Sequence, residues 1–133
     1  MKVYDQSVAV ASGEANAAAT VVAADSQAVL VRVDPSTLSL PSSRSSWTPD
    51  GNLCYSKVCT HAGCPVGLYV ETEHALRCPC HQSTFDVLNG AVPFSGPAVR
   101  PLPQLPLEID AEGYLIAGGD FSGPVGPSFW NMP

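Results

Sequence analysis

The sequence predicts a single all-β domain. A chain of 133 residues is long enough for one domain with a hydrophobic core and too short for two. Its thirteen prolines and eleven glycines favour many turns and short strands over long helices. Short apolar runs bounded by turn residues recur along the chain, most clearly in LEIDAEGYLIAG, which predicts a hairpin with DAEG as its turn.

The first half of the chain supplies three of these strands. The runs TVVAA (20–24) and AVLVRV (28–33) flank the polar break DSQ and predict a hairpin. The next segment, 34–51, is rich in Pro, Ser and Gly and predicts an ordered surface loop. NLCYSKV (52–58) predicts a strand that leads directly into Cys59.

The second half alternates turns with shorter strands. VGLYVETEHALR is compatible with a short hairpin whose tip is ETEH, and STFDVLNGAV predicts a strand followed by a turn. FSGPAVRPLPQLP holds four prolines in thirteen residues, too many for a central strand or a helix. We therefore expect an all-β base with a metal-binding insertion between Cys59 and about Pro101.

The charge and hydropathy exclude several classes of partner. The formal net charge of −6 argues against direct binding to nucleic acid or to an anionic membrane surface. The most apolar early run, SVAVASGEANAAATVVAA, is broken by Glu14 and Asn16 and falls short of the roughly 20 strongly apolar residues that a membrane span requires. It also lacks the continuous apolar core of a signal peptide. We expect the chain to behave as a soluble piece.

Two short loops carry most of the chemistry-bearing side chains. CTHAGC (59–64) and CPCHQSTFD (78–86) hold four of the five cysteines and two of the three histidines. A disulfide framework alone would not require the two histidines. A zinc site would use two thiolates and two imidazoles, yet it leaves Cys64 and Cys80 without a role. The remaining alternative is a cluster of two irons and two sulfides bound by both residue types.

CTHAGC and CPCHQS resemble the paired loops of Rieske [2Fe–2S] proteins, of the high-potential type with a disulfide between the loops. The resemblance implies a [2Fe–2S] cofactor with Cys59 and Cys78 on one iron and with His61 and His81 on the other. It also implies a disulfide between Cys64 and Cys80. The implied fold has antiparallel sheets that form a base, about 1–58 and 102–133, and an inserted cluster-binding subdomain, about 59–101.

The mixed ligand set has a chemical consequence. Replacing two thiolates by neutral imidazoles removes about two negative charges, so the potential rises to about −150 to +300 mV. Imidazole also keeps an outer nitrogen that can hold a proton, and an added electron favours the protonated ring. Electron and proton uptake are then coupled, which suits a quinol as the donor.

Neighbouring residues are predicted to tune and cover the cluster. Ser83 matches a serine that donates a hydrogen bond to a bridging sulfide in the family. Phe85 stands where mitochondrial-type members usually have a tyrosine, so that second donor is absent and we expect a potential below theirs. SGPAVRP resembles the family's proline loop, with Gly96, Pro97 and Ala98 covering the cluster. Cys54 is predicted to be a buried, unpaired core thiol.

Over about residues 28 to 131 the chain is similar to the C-terminal head of the Rieske subunit in actinobacterial-type menaquinol–cytochrome c reductases (the bcc type). The Gln82 of CHQS and the ending GPVGPSFW carry this similarity. It implies a one-electron relay in which menaquinol in a cytochrome b subunit contacts His81, with His61 as the weaker candidate. The electron then passes to a cytochrome c-type haem.

The resemblance also implies a location on the outer, positive face of the bacterial cytoplasmic membrane, with the head anchored through a preceding segment. Two alternatives remain. One is a small Rieske subunit of an arsenite oxidase-like enzyme, and the other is a zinc-stabilised binding module. The setting of ring oxygenases and their ferredoxins is disfavoured, because their members typically lack the cysteine pair and the serine that Cys64, Cys80 and Ser83 match.

Overall fold

The computed structural model describes residues 2–5, 17–23, 26–66, 68–111 and 114–127. Within these ranges the chain forms eleven β-strands and short 3-10 helices but no α-helix, which confirms the all-β prediction. The strands are β1 (Lys2–Asp5), β2 (Ala17–Ala23), β3 (Ser26–Arg32), β4 (Asn52–Ser56), β5 (Leu68–Val70), β6 (Ala75–Arg77), β7 (Thr84–Asp86), β8 (Val92–Ser95), β9 (Gln104–Leu105), β10 (Leu107–Ile109) and β11 (Tyr114–Ala117).

The central sheet has the strand order β2-β3-β4-β9, with every pair antiparallel. The predicted hairpin is confirmed, since β2 and β3 pair in register from Ala17 opposite Arg32 to Ala23 opposite Ser26. The segment 34–51 lies mostly at the surface as three 3-10 turns. Asp34 begins the first of them, its carboxylate accepting a hydrogen bond from the Ser36 amide at 3.0 Å.

Both faces of the central sheet are buried, which explains the unbroken apolar runs of β3 and β4. Val31 and Leu53 contribute to one hydrophobic cluster, whereas Leu30 and Cys54 contribute to a second. Because successive side chains of a strand point to opposite faces, alternate residues enter alternate clusters. The second cluster is closed by a three-stranded sheet of order β1-β11-β10. Its β10–β11 pair is the hairpin that LEIDAEGYLIAG predicts.

A third sheet, here called the cluster sheet, has the order β5-β6-β7-β8 and lies within the predicted insertion. Its first hairpin has a 3-10 turn at Glu71–Glu73, as ETEH predicts. β8, which contains Pro93, and β9, which lies between Pro103 and Pro106, are both edge strands. A missing amide donor costs least at an edge. The Tyr55 hydroxyl of β4 donates to the Val87 carbonyl at 2.8 Å and joins the central sheet to this region. The proposed subdomain boundaries stay a prediction.

The described part of the chain contains no helix that is long and apolar enough to span a membrane.

Candidate metal centre

The two Cys/His loops are closed by the same pair of backbone hydrogen bonds. In the first loop the Cys59 amide donates to the Cys64 carbonyl at 2.9 Å, and the Gly63 amide donates to the Cys59 carbonyl at 3.0 Å. In the second loop the Cys78 amide donates to the Ser83 carbonyl at 2.8 Å, and the Gln82 amide donates to the Cys78 carbonyl at 3.0 Å. Each loop therefore begins at a predicted cysteine ligand and turns back within five residues.

The fifth position of each loop has a left-handed backbone. Gly63 has φ of 86°, which costs a glycine nothing, and Gln82 has φ of 65° at the matching place. This backbone conformation favours glycine, so Gln82 adopts it against the usual preference of a residue with a side chain. The Gln82 side chain is exposed, and its amide reaches only the Pro79 carbonyl, at 3.4 Å.

The four predicted ligands come together in two pairs. The Cys59 and Cys78 thiols are both buried and belong to the same hydrophobic cluster. The His61 and His81 rings meet edge to face, with their centroids 4.9 Å apart and their planes at 89°. His61 is half-buried, whereas His81 is exposed. The pairing of thiol with thiol and imidazole with imidazole is the one that the predicted cluster requires.

Several features of these residues fit a [2Fe–2S] cluster. His61 Nδ1 is buried and has no hydrogen-bond partner, a costly state for a polar atom unless a metal binds it. Burial raises the pKa of the Cys78 thiol, while the amide groups of Cys80 and His81, which donate to its sulfur, act in the opposite direction. Those amides would stabilise a metal-bound thiolate, because donors to sulfur offset its negative charge. The donor set fits the cluster.

The structure confirms the disulfide between Cys64 and Cys80, whose Cα atoms are 6.4 Å apart. Its two sulfurs and Cys78 Sγ all lie within 4.8 Å of one another, so the disulfide packs directly against a predicted ligand. Because the two sulfurs are bonded to each other, they are not available as metal ligands. The crosslink holds the two loops together on one side of the site.

The predicted proline loop forms a third wall against the second loop. The Ala98 amide donates to the Ser83 hydroxyl oxygen at 3.1 Å, and Ser83 is fully buried. With that oxygen accepting from Ala98, the hydroxyl proton remains to be donated. Gly96 has φ of 85°, and a β-carbon there would lie 2.5 Å from Ser83 Cα. Only glycine allows this contact. Pro97 is exposed, while Ala98 is buried in the same cluster as both thiols.

The sequence did not predict a second hydrogen bond between the proline loop and a Cys/His loop. The Thr60 hydroxyl donates to the Arg100 carbonyl at 2.7 Å, so the first loop is tied to the end of the proline loop. The Arg100 guanidinium donates from Nη1 to the Gly126 carbonyl and from Nη2 to the Pro124 carbonyl, each at 3.1 Å. The only signal in the sequence was the position of Thr60 between Cys59 and His61.

Two other predictions concern buried side chains. Phe85 is fully buried in the hydrophobic cluster that contains both thiols, where it supplies no hydroxyl donor. Cys54 is confirmed as a free, fully buried cysteine on the far face of the central sheet. Burial raises the pKa of the Cys54 thiol to about 12, so it stays protonated at neutral pH.

Comparison with curated proteins finds relatives that share a name. The chain is 46% identical over 102 residues to the cytochrome bc1 complex Rieske iron-sulfur subunit of Streptomyces lividans, covering 77% of this chain and 59% of that protein. It is 48% identical over 105 residues to the subunit of that name from Mycobacterium tuberculosis, covering 77% and 24%. The Corynebacterium diphtheriae subunit is 58% identical over 76 residues, covering 57% and 19%. The chain thus spans less than two thirds of the length of each of these relatives.

Solved structures show the same fold at low sequence identity. The soluble domain of Rieske protein II from Sulfolobus acidocaldarius superposes with a TM-score of 0.65 at 24% identity, covering 93% of this chain and 81% of that one. The ferredoxin of carbazole 1,9a-dioxygenase from Nocardioides aromaticivorans gives 0.61 at 19% identity, covering 90% and 97%. These likenesses support the fold and, at such identities, nothing beyond it.

A family model supplies the assignment. The model for the Rieske [2Fe-2S] domain matches residues 3–106, which include both loops and the proline loop. This match begins ahead of residue 28, where the resemblance seen in the sequence starts. Taken with the paired thiols, the paired imidazoles and the disulfide, it shows that the chain belongs to the Rieske family and that its cofactor is a [2Fe–2S] cluster.

Proposed function

We propose that this chain is the electron-transfer head of the Rieske subunit in a quinol–cytochrome c reductase. The observation that carries the proposal is the pair of edge-to-face imidazoles beside two buried thiols, on a chain whose relatives are named as subunits of cytochrome bc1 complexes. Since the chain spans 59% or less of the relatives described above, their complete activity comes to this chain as a proposal.

In this proposal Cys59 and Cys78 bind one iron, and His61 and His81 bind the other. The buried, unpartnered Nδ1 of His61 supports its role as a ligand atom. The burial of both thiols in one hydrophobic cluster supports their role as a pair of ligands on one iron. When bound, the [2Fe–2S] cluster supplies a reversible one-electron carrier whose potential the surrounding protein sets.

The exposure of the two histidines supports different tasks for them. His81 is exposed, so its outer ring nitrogen can accept a hydrogen bond and a proton from a quinol held by another subunit. His61 is half-buried and presents less of its ring, which supports its place as the second candidate for that contact. The Ser83 hydroxyl accepts from the Ala98 amide and keeps its own proton to donate to a cluster sulfur. Together with the amides of Cys80 and His81, which donate to the Cys78 sulfur, it would favour the reduced state.

The partners follow from the same assignment. The quinol, proposed to be menaquinol, binds in a cytochrome b subunit, and the electron leaves to a cytochrome c-type haem. The disulfide supports an oxidising compartment, consistent with the outer, positive face of the bacterial cytoplasmic membrane. No contact or relative described here favours the arsenite oxidase-like alternative.

A redox titration followed by EPR, repeated between about pH 6 and pH 10, tests the proposal. We expect a rhombic signal of the reduced state with average g below 2, and a potential that falls as pH rises. The fall is expected because reduction favours protonation of an imidazole ligand, so raising the pH penalises the reduced form. A colourless protein with stoichiometric zinc, or a potential independent of pH throughout, would contradict the proposed function.

A further inference from the structure

The proline loop, residues 95–101, buries little of its own surface. Of residues 95–100 only Ala98 is buried, while Gly96, Pro97 and Val99 are exposed, and the Val99 side chain is 89% exposed. A segment with so few buried apolar contacts is held weakly by packing alone. Its position beside the metal centre therefore depends on hydrogen bonds.

Two of these hydrogen bonds join the proline loop to the Cys/His loops. The Ala98 amide donates to the Ser83 hydroxyl oxygen at 3.1 Å, beside the second loop. The Thr60 hydroxyl, which lies between two predicted ligands of the first loop, donates to the Arg100 carbonyl at 2.7 Å. A displacement of the proline loop would therefore release the hydroxyl that the proposed function assigns to a cluster sulfur.

The Arg100 side chain joins the proline loop to the C-terminal tail, residues 122–127. Its Nη1 donates to the Gly126 carbonyl and its Nη2 to the Pro124 carbonyl, each at 3.1 Å. Two nitrogens of one planar guanidinium, bonded to two separate carbonyls, fix the orientation of the group as well as its distance. A lysine keeps the charge at this place but cannot reproduce the fork.

The tail is in turn fixed to the central sheet. The Ser122 amide donates to the Gln104 carbonyl at 2.8 Å, and the Gln104 amide donates to the Ser122 hydroxyl oxygen at 2.9 Å. Gln104, in β9, is fully buried, and Gly126 and Pro127 of the tail are buried as well. A continuous series of contacts thus runs from the central sheet through the tail and Arg100 to the proline loop.

We propose that Arg100 is a positioning residue that fixes the proline loop to the C-terminal tail and so keeps the Ser83 hydroxyl in place to donate to a cluster sulfur. The inference rests on the proposed function, which supplies the cluster and the role of Ser83. Arg100 acts through Ala98 and Ser83 and needs no contact with the cluster. When its two hydrogen bonds are lost, donation from Ser83 weakens and the reduced state is less favoured, so the potential falls.

Redox titrations followed by EPR test the inference on the cluster-loaded chain, with Arg100→Lys and Ser83→Ala made singly and together. We expect Arg100→Lys to lower the potential by less than Ser83→Ala does. Added to Ser83→Ala, it should cause little further fall, because both substitutions act through one hydroxyl. Faster amide hydrogen exchange at Ala98 is the second expected effect, and it reports on the loop directly.

Arg32→Lys is the matched control, because Arg32 is also a half-buried arginine. It lies opposite Asn52, at the start of β4, whereas Cys59 follows the end of that strand. This variant should keep both the potential and the exchange rate at Ala98. Ser122→Ala perturbs the tail instead, and we expect a smaller fall of the potential in the same direction; it decides the matter if Arg100→Lys does not retain the cluster.

The inference is overturned if Arg100→Lys, or Ser122→Ala in its place, keeps the potential and the Ala98 protection of the unmodified chain. It is also overturned if Arg100→Lys lowers the potential equally with and without the Ser83 hydroxyl. A fall in Arg100→Gln but not in Arg100→Lys would show that only the charge acts, and would overturn it too. In these cases the unmodified chain still gives the rhombic signal, whereas absence of that signal would overturn the proposed function together with this inference.

Discussion

The central sheet and the cluster sheet share one hydrophobic cluster but differ in what else stabilises them. In the central sheet β3 runs for seven residues, and all five residues of β4 are buried. In the cluster sheet β5, β6 and β7 have three residues each, and the loops that extend from them depend on a disulfide and on side-chain hydrogen bonds to the backbone. Apolar burial dominates the first region, and in the second region crosslinks add to the burial of residues such as Leu76 and Phe85.

This difference indicates which region of the molecule depends on the cofactor for its stability. A sheet buried on both faces needs no metal, since its strands are already covered by two hydrophobic clusters. The cluster region leaves His61 Nδ1 unpartnered and places the two proposed thiol ligands in the hydrophobic cluster that it shares with the central sheet. We therefore expect metal binding to add stability chiefly in this region. We expect the two regions to respond unequally to the same kind of perturbation.

The largest effect is expected from Cys59→Ser, which removes a proposed iron ligand. We expect loss of the cluster's visible absorption together with faster amide exchange at Cys78 and Gln82, whose amides close the second loop. Amides of the central sheet, such as those of Val31 and Leu53, should keep most of their protection. Cys54→Val, a substitution on the far face, serves as the control that retains the cluster. An equal loss of protection from amide exchange in both sheets would contradict the expected difference between them.

Removing the disulfide is expected to have the next largest effect. The double variant Cys64→Ser/Cys80→Ser opens a crosslink of sequence separation 16, a loss of about 3 kcal/mol in a loop-closure treatment. The loss of stability should be largest in the cluster region and should appear as faster loss of the [2Fe–2S] cluster on heating. Leu53→Ala, in the fully buried β4, provides the contrast, since a cost of about 2 to 5 kcal/mol should there lower the unfolding free energy of the whole domain. If both variants showed the same pattern of amide hydrogen exchange, the two sheets would not be stabilised separately.

A smaller effect is expected on the potential when Ser83 is replaced by alanine. The proposed bond from its hydroxyl is stronger to the more negative, reduced cluster, and the potential should fall by about 60 mV for each 1.4 kcal/mol of that difference that is lost. The EPR titration measures this shift while the cluster is retained. Ser56→Ala is the matched control, because Ser56 is an equally buried serine in the central sheet. A shift of similar size in both variants would show that Ser83 has no specific role.

The smallest effect concerns Cys54 at alkaline pH. Burial raises the pKa of this thiol from 9.0 to about 12, so between these values the unfolded chain loses a proton that the native chain keeps. The free energy of unfolding should therefore fall as pH rises from about 9 toward 12, by at most about 1.4 kcal/mol per pH unit from this group. Denaturant titrations of the unmodified chain and of Cys54→Val measure the difference. Parallel pH profiles for the two would refute this assignment of the pKa.

Much of the fold was predictable because its signals are local. The break after Ala23 and the turn before Tyr114 separate apolar runs of the right length for hairpins, and both hairpins form. The prolines of SGPAVRPLPQLP excluded a central strand, and β9 lies at an edge. The 3-10 turns within 34–51 were not predicted individually, since Ser- and Pro-rich segments allow many turn conformations.

The metal centre was predictable in part for a similar reason. Cysteine and histidine at these spacings, in loops closed within five residues, bring ligand pairs to two short turns whatever surrounds them. The hydrogen bond from Thr60 to Arg100 joins residues 40 apart in the chain, and the one from Ala98 to Ser83 joins residues 15 apart. No local pattern encodes such contacts, because they depend on how the proline loop packs across both turns.

By itself, the sequence determined the chemistry that is possible: two thiols, two imidazoles and a spare cysteine pair at spacings that fit one cofactor. Only the tertiary structure decided that His81 is exposed while His61 is half-buried, and that the Arg100 guanidinium contacts the C-terminal tail. Residue types and short spacings are written along the chain, so local geometry follows from them directly. How exposed a side chain is, and which distant side chains it meets, depends on the segments that pack over it. Those contacts form only when the hydrophobic clusters pack.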